Sequence, residues 1–174
     1  MAAPCLLLTG VPGVGKSTLI QKLLPLLPDA CGFYTREVRE GNARIGFDMI
    51  PLPEGEPVRL ATLSRHPLYP REARVGGYRV DVQSLEERIV PRLEAGIRDG
   101  KPLVIDEIGP MEIFSAAFCD VVITALDSDL PVLGTIVRRP YRFADEVKLH
   151  PRVELITVTR ANRDQLAEVL EKRL

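Results

Sequence analysis

Residues 10–18 read GVPGVGKST, directly behind the apolar run PCLLLT (4–9) and directly ahead of LIQKLL (19–24). Gly10, Gly15, Lys16 and Ser17 satisfy G-x-x-x-x-G-K-[ST]. Phosphate oxygens need many donors at close range, and glycines let successive backbone N–H groups turn inward with no Cβ in the way. The helix that begins near Lys16 aims the positive end of its dipole at the same point. Lys16 is suited to neutralise β- and γ-phosphates, and the Ser17 hydroxyl to ligate Mg²⁺. A chance match at these positions is expected in fewer than about one such chain per hundred. Gly10, Val11, Pro12, Gly13, Val14, Gly15, Lys16, Ser17 and Thr18 are therefore expected to hold a nucleotide di- or triphosphate.

Working outward, strand and helix signals alternate. Residues 4–9 read as a buried parallel strand. Residues 16–24 carry Leu19, Ile20, Leu23 and Leu24 at helical spacing, ended or kinked by Pro25 and Pro28. CGFYTREVR (31–39) and ARIGFDMI (43–50) are β-rich and joined by Glu40-Gly41-Asn42, which predicts a hairpin. PLPEGEP (51–57) is a loop, strand-like VRLATL follows, and residues 64–77 are polar, rich in Arg and Pro, and poorly periodic. Ser84 and Glu87 make a capping-box pattern at the start of a helix carrying Leu85, Ile89, Leu93 and Ile97. Pro91 should kink that helix, and Asp99-Gly100 stop it.

PLVIDEIG (102–109) reads as a fully buried strand. Residues 111–126 place Met111, Phe114, Phe118, Val121, Val122 and Ala125 on one helical face, a core stripe. PVLGTIV (131–137) and VELITVT (153–159) are further strands. Asn162 is expected to cap a last helix with Leu166, Val169, Leu170 and Leu174 inward. The pattern predicts one α/β domain over residues 1–174, three layers deep, with a mainly parallel sheet and a β-hairpin set into it.

The totals fit a globular protein: 174 residues, 45% hydrophobic and 27% charged. A net charge of −1 implies no general attraction to nucleic acid or to an anionic membrane. No apolar stretch approaches the ~20 residues needed to cross a bilayer. The N-terminus lacks a basic leader, and Cys5, Cys31 and Cys119 are scattered, which fits a reducing compartment. The expected location is cytoplasmic. Nucleoside triphosphates are the expected partners; no membrane or nucleic acid is, and protein partners are left open.

Leu103-Val104-Ile105-Asp106-Glu107 is a second landmark. Apolar residues ending in a carboxylate are the Walker B pattern, and ligands of open α/β sheets bind at the carboxyl edge, where Gly10–Ser17 also lies. Asp106 is expected to hold Mg²⁺ with Ser17, directly or through water. Hydrolysis needs a group that orients or deprotonates water in line with the leaving group, and Glu107 follows the metal carboxylate directly. Arg138 and Arg139, behind strand 131–137, are candidates for offsetting transition-state charge. Arg36 and Glu37 either contact phosphate or water or line a solvated hairpin face. Asn162 and Arg163, in TRANRD (159–164), are candidates for contact with the base. Arg59, Arg65, Arg71, Arg74 and Arg79 form a lid, meet a second substrate, or are simply solvated. His66 and His150 lack metal-like spacing.

These residues resemble a known family, the thermostable or cancer-related nucleoside-triphosphatases. The resemblance rests on GVPGVGKST (10–18), GFYTREVREGNARIGFDM (32–49), VGGYRVDV (75–82), IDEIGPMEIFS (105–115), LGTI (133–136) and VTRANRD (158–164). It implies a RecA-like sheet and slow, Mg²⁺-dependent hydrolysis of ATP, GTP, CTP and UTP or TTP, tolerant of the base. It implies nucleotide binding by Gly10–Ser17 and by Pro102, Leu103, Val104, Ile105, Asp106, Glu107, Ile108 and Gly109, with Glu107 as the water-activating residue; from the residues themselves, Lys16 and Glu107 are the expected catalytic groups. Members often carry lysine where this chain has Pro110. Two other readings stand beside hydrolysis: a P-loop kinase acting on a nucleoside or small metabolite, and a nucleotide-dependent switch or adaptor.

Overall fold

Nine strands form a single sheet in a computed structural model of the chain, which describes residues 3–63 and 72–174. They are β1 (Cys5–Thr9), β2 (Cys31–Glu40), β3 (Ala43–Leu52), β4 (Val58–Thr62), β5 (Glu72–Val75), β6 (Tyr78–Asp81), β7 (Leu103–Ile108), β8 (Val132–Ile136) and β9 (Val153–Thr157). The spatial order is β5-β6-β4-β3-β2-β7-β8-β1-β9. From β2 to β9 every pairing is parallel; from β2 outward to β5 every pairing is antiparallel. The parallel core expected from strand–helix alternation therefore carries an antiparallel wing. The expected β2–β3 hairpin joins the two, because β2 pairs with β7 through Cys31–Phe33 and then runs on alongside β3.

Helices cover both faces of the core. On one lie α1 (Lys16–Leu23) and α6 (Arg163–Glu171), where Leu19, Ile20, Leu23 and Leu170 pack on Leu6, Leu8, Val104 and Leu133. On the other lie α3 (Val90–Arg98), α4 (Ala116–Asp127) and α5 (Arg142–Lys148), preceded by the short α2 (Val82–Ser84). Leu93, Phe118, Val122 and Val147 pack there on Leu7, Leu103, Ile105, Val132 and Ile136. Burial on both faces explains why the central strands read as continuous apolar runs. Cys5 and Cys119 are free thiols that burial pushes up to about 11, which suits packing rather than nucleophilic attack.

Local details differ from the sequence expectations. Asp81, not Ser84, caps the helix start: its carboxylate accepts from Ser84 N at 2.9 Å and Ser84 Oγ at 2.7 Å. Glu87 instead accepts from Gln83 Nε2. A wide π-helical turn over Leu85–Ile89 stands just ahead of Pro91, which lacks an N–H and crowds the preceding turn. The stripe from 111 to 126 breaks at Ser115, whose hydroxyl caps α4 by accepting from Phe118 N. Phe114 falls in the short turn before that cap and is 49% exposed; Val169 likewise turns outward at 51%.

The β5–β6 hairpin and α5 are additions to the elements expected from sequence. β5 sits in an arginine-rich stretch without periodicity, and α5 buries only Ala144 and Val147. Arg59, Arg74 and Arg79 lie on strands β4, β5 and β6, while Arg65, His66 and Arg71 lie outside the described residues. His150 Nε2 sits 3.1 Å from Asp127. Among the described residues, no helix is long and apolar enough to cross a membrane.

Candidate functional site

The loop after β1 is shaped by three glycines. A Cβ on Gly10 would lie 2.5 Å from the carbonyl oxygen of Val158, so only glycine lets the loop pass that close to the end of β9. Gly13 (φ 75°) and Gly15 (φ 108°) adopt left-handed backbone that turns the chain into α1. Lys16, the first residue of α1, is buried and lays its Nζ back along the loop, donating to the carbonyls of Gly10 (3.2 Å) and Val11 (3.4 Å). Arg163 covers the loop from α6 and donates to Val14 O at 3.3 Å.

Asp106 is the hub of the site. It is fully buried near the end of β7 and collects donors from three elements. Ser17 Oγ of α1 donates to Oδ1 at 3.1 Å, and Thr135 Oγ1 of β8 to the same oxygen at 2.6 Å. Thr35 of β2 gives its backbone N–H and its hydroxyl to Oδ2, at 3.2 and 3.3 Å. Burial raises the Asp106 pKa, and these hydrogen bonds pull it back down. Sequence reasoning missed Thr35 and Thr135. The available signal was a single threonine in each of the two strands that flank β7.

Glu107 follows at the edge of the sheet. Burial raises its pKa, the positive charge of Lys16 lowers it, and Asp106 raises it. Its carboxylate folds back over the next turn, where a Cβ on Gly109 would lie 2.6 Å from Oε1. Glu112, also missed from sequence, is a third acid here. It is almost fully buried, and burial together with the charges of Glu107 and Asp106 pushes its pKa well up. Of the other members of 102–109, Leu103, Val104, Ile105 and Ile108 are fully buried, and the Pro102 carbonyl accepts from Cys31 N.

Among the described residues, no cluster of three or more His, Cys, Asp and Glu could hold a metal by itself. The Ser17 and Asp106 oxygens suit a hard cation that takes few protein ligands and draws the rest from phosphate and water.

A cavity of about 550 Å³ opens beside the loop, lined by Gly10, Val11, Val14, Arg138, Thr157, Val158, Thr159 and Arg160. Arg138 lies on its wall, and Arg139 does not. Arg160 also lies on the wall, from within TRANRD. Asn162 neither lines the cavity nor caps α6 with its side chain. Its amide accepts from Thr159 N at 2.8 Å and donates to Thr157 O at 2.9 Å, so it shapes the loop that forms the wall. Glu37 is held by Arg39 and Arg44 on the exposed hairpin face.

Comparison with known proteins adds a second line of observation. The family model described as NTPase matches residues 5–170. A protein of Natranaerobius thermophilus named nucleoside-triphosphatase THEP1 is 40% identical over 172 residues, covering 97% of this chain and 95% of its own. The human cancer-related nucleoside-triphosphatase is 40% identical over 175 residues, covering 91% of this chain and 90% of its own. Among solved structures, THEP1 from Aquifex aeolicus superposes with a TM-score of 0.83 at 35% identity, with 96% of each chain covered.

Proposed function

From the premise that this chain belongs to the NTPase family, we propose that it hydrolyses nucleoside 5′-triphosphates to the diphosphate and phosphate, with Mg²⁺ and with broad tolerance of the base. The observation that carries this is the Asp106–Glu107 pair at the sheet edge. One carboxylate is tied to Ser17 at 3.1 Å, and the other lies within the field of Lys16.

Each residue has a part. The backbone N–H groups of residues 10–16 surround the phosphates, aided by the dipole of α1. Lys16 exchanges the loop carbonyls it now holds for phosphate oxygens, a stronger charge-assisted contact. Ser17 and Asp106 would hold a bound Mg²⁺, whose charge offsets that of the β- and γ-phosphates. Glu107 takes a proton from the attacking water. A burial-raised pKa brings that carboxylate nearer to the operating pH, where a general base works best.

The cavity beside the loop supports base tolerance. Val11, Val14 and Val158 offer apolar contact that every base satisfies, and Arg138 and Arg160 offer stacking or charge. Neither reads the edge of one base as a fixed amide pair would.

The test is phosphate release from ATP, GTP, CTP and UTP, with Mg²⁺ and then with EDTA, for wild type beside Glu107→Gln. Turnover that needs Mg²⁺, and that falls ~10²-fold or more in the variant while nucleotide binding persists, supports the reading. Binding without turnover in both proteins would overturn it.

A further inference from the structure

Arg36 stands on β2 just beyond the level of Asp106. Phe33 pairs with Ile105, so Tyr34 stands level with Asp106 and Arg36 two residues further along. Successive strand side chains alternate between faces, so Arg36 shares a face with Tyr34. Tyr34 packs with the α1 cluster, and the charge of Arg36 acts on its hydroxyl. Arg36 therefore projects on the face that α1 and Ser17 occupy. With ~3.3 Å per residue and ~4.8 Å between strands, its Cα lies about 8 Å from that of Asp106, within reach of a guanidinium over the mouth of the site.

Its present partner holds it weakly. Arg36 approaches Asp48 at 3.9 Å through one nitrogen, with its side chain 57% exposed. Arg59 meets the same carboxylate at 2.6 Å, and Asp48 is largely buried. Among the described residues, Arg59 is thus the close cation on Asp48. Arg36 is the surplus cation, and it can leave without stranding a buried charge, since exposed single-contact pairs contribute little.

We propose that Arg36 is a catalytic arginine supplied in cis, which leaves Asp48 and contacts the γ-phosphoryl oxygens in the transition state. This rests on the hydrolase reading above. The bond from phosphorus to the β-phosphate oxygen breaks as a bond to the water oxygen forms. One water proton passes to Glu107 and then to solvent, and the electron pair leaves with the diphosphate. Arg36 makes no covalent bond; its planar fork spans two equatorial oxygens as their charge shifts. Arg138, on the wall of the cavity beside the loop, stands on the far side of β8 from β2.

The experiment compares wild type, Arg36→Ala and Arg36→Lys. It records phosphate release, KM, thermal midpoint, and binding of ADP with and without aluminium fluoride, which mimics the transferring phosphoryl group. The expected result is a loss of at least ~10²-fold in kcat for Arg36→Ala. ADP affinity should stay within about twofold, and the tightening by aluminium fluoride should disappear. Arg36→Lys keeps a charge on the hairpin but not the fork, and should still lose at least ~10-fold. If Arg36→Ala fails to fold, Arg36→Lys decides. Wild-type turnover with either variant within about twofold of it overturns this inference and leaves the hydrolase reading standing. So does a raised KM at unchanged kcat, which would mark a ground-state contact. A wild type that releases no phosphate overturns both.

Discussion

Ser17 Oγ and Asp106 Oδ1 are hydrogen-bonded at 3.1 Å across 89 positions of sequence. The strand order makes this contact. A single strand, β8, separates loop-bearing β1 from Asp106-bearing β7, and α1 packs over the sheet so that its second residue meets the carboxylate. Thr135, on the intervening strand, donates to the same oxygen from below. A fully buried carboxylate without such donors would be driven neutral. These donors offset part of that cost and aim both carboxylate oxygens at named partners.

Ser17→Ala should weaken Mg²⁺ activation by roughly 10–10²-fold, since it removes one of two protein ligands in the proposed set. Titrating phosphate release with Mg²⁺ measures this as a rise in the half-activating concentration. An unchanged titration curve would show that Ser17 serves only as a donor to Asp106.

Gly109→Ala should act through Glu107. The new Cβ would fall 2.6 Å from Oε1 and 2.9 Å from Cγ of Glu107, so the carboxylate must move. The displaced atoms are the free end of a flexible side chain, so the cost to folding is small. A shift of about 1 Å at a reacting group costs up to ~10²-fold in rate. The expected outcome is a kcat reduced ~10–10²-fold with nucleotide affinity and thermal midpoint near wild type. A wild-type kcat would count against Glu107 as the group that handles water.

The phosphate loop and the Asp106–Glu107 pair were legible because each is contiguous in sequence and its chemistry fixes its spacing. So was the parallel core, since strands buried on both faces leave apolar runs such as 5–8 and 103–105. What stayed hidden depends on register between distant strands. Thr35 and Thr135 are ordinary threonines until β2 and β8 flank β7, and Arg36, already a candidate from sequence, stands apart from a solvated hairpin residue only when Asp48 proves to be held by Arg59. The helix errors have a different source. Asp81 outcompetes Ser84 as a cap, and Ser115 ends a periodic stripe that spacing alone extends through Phe114.

Gly96→Ala should destabilise the fold, although alanine is the better helix former by about 1 kcal/mol. Gly96 lies in α3 against the sheet, where a Cβ would come within 2.6 Å of Cys31 Cβ and 2.7 Å of Leu103 Cδ2. Both neighbours are buried, and one contact is to a Cβ that cannot rotate away. Overpacking of this kind costs about 1–3 kcal/mol, which outweighs or cancels the helical gain. Urea denaturation should show a lower midpoint at unchanged slope, and a raised midpoint would mean that α3 shifts freely.

Glu112→Gln should become more stabilising relative to wild type as pH rises. Glu112 is 4% exposed; burial foremost, then the charges of Glu107 and Asp106, raises its pKa well above the ordinary value. The folded state therefore binds this proton more tightly than the unfolded chain, where the group titrates near pH 4.3. Below that value the stabilising contribution is fully present. It is lost as pH rises from there through the folded pKa, because the folded protein must either retain a proton that the unfolded chain releases freely or bear a buried charge. Glutamine imitates the protonated form at every pH, and its amide oxygen can still accept from the backbone of the 109–112 turn. Thermal midpoints of both proteins across pH 4 to 9, taken as a difference, cancel the titration of groups they share. The difference should grow in favour of Glu112→Gln with increasing pH, and a flat or declining difference would show that Glu112 stays ionised in the folded protein.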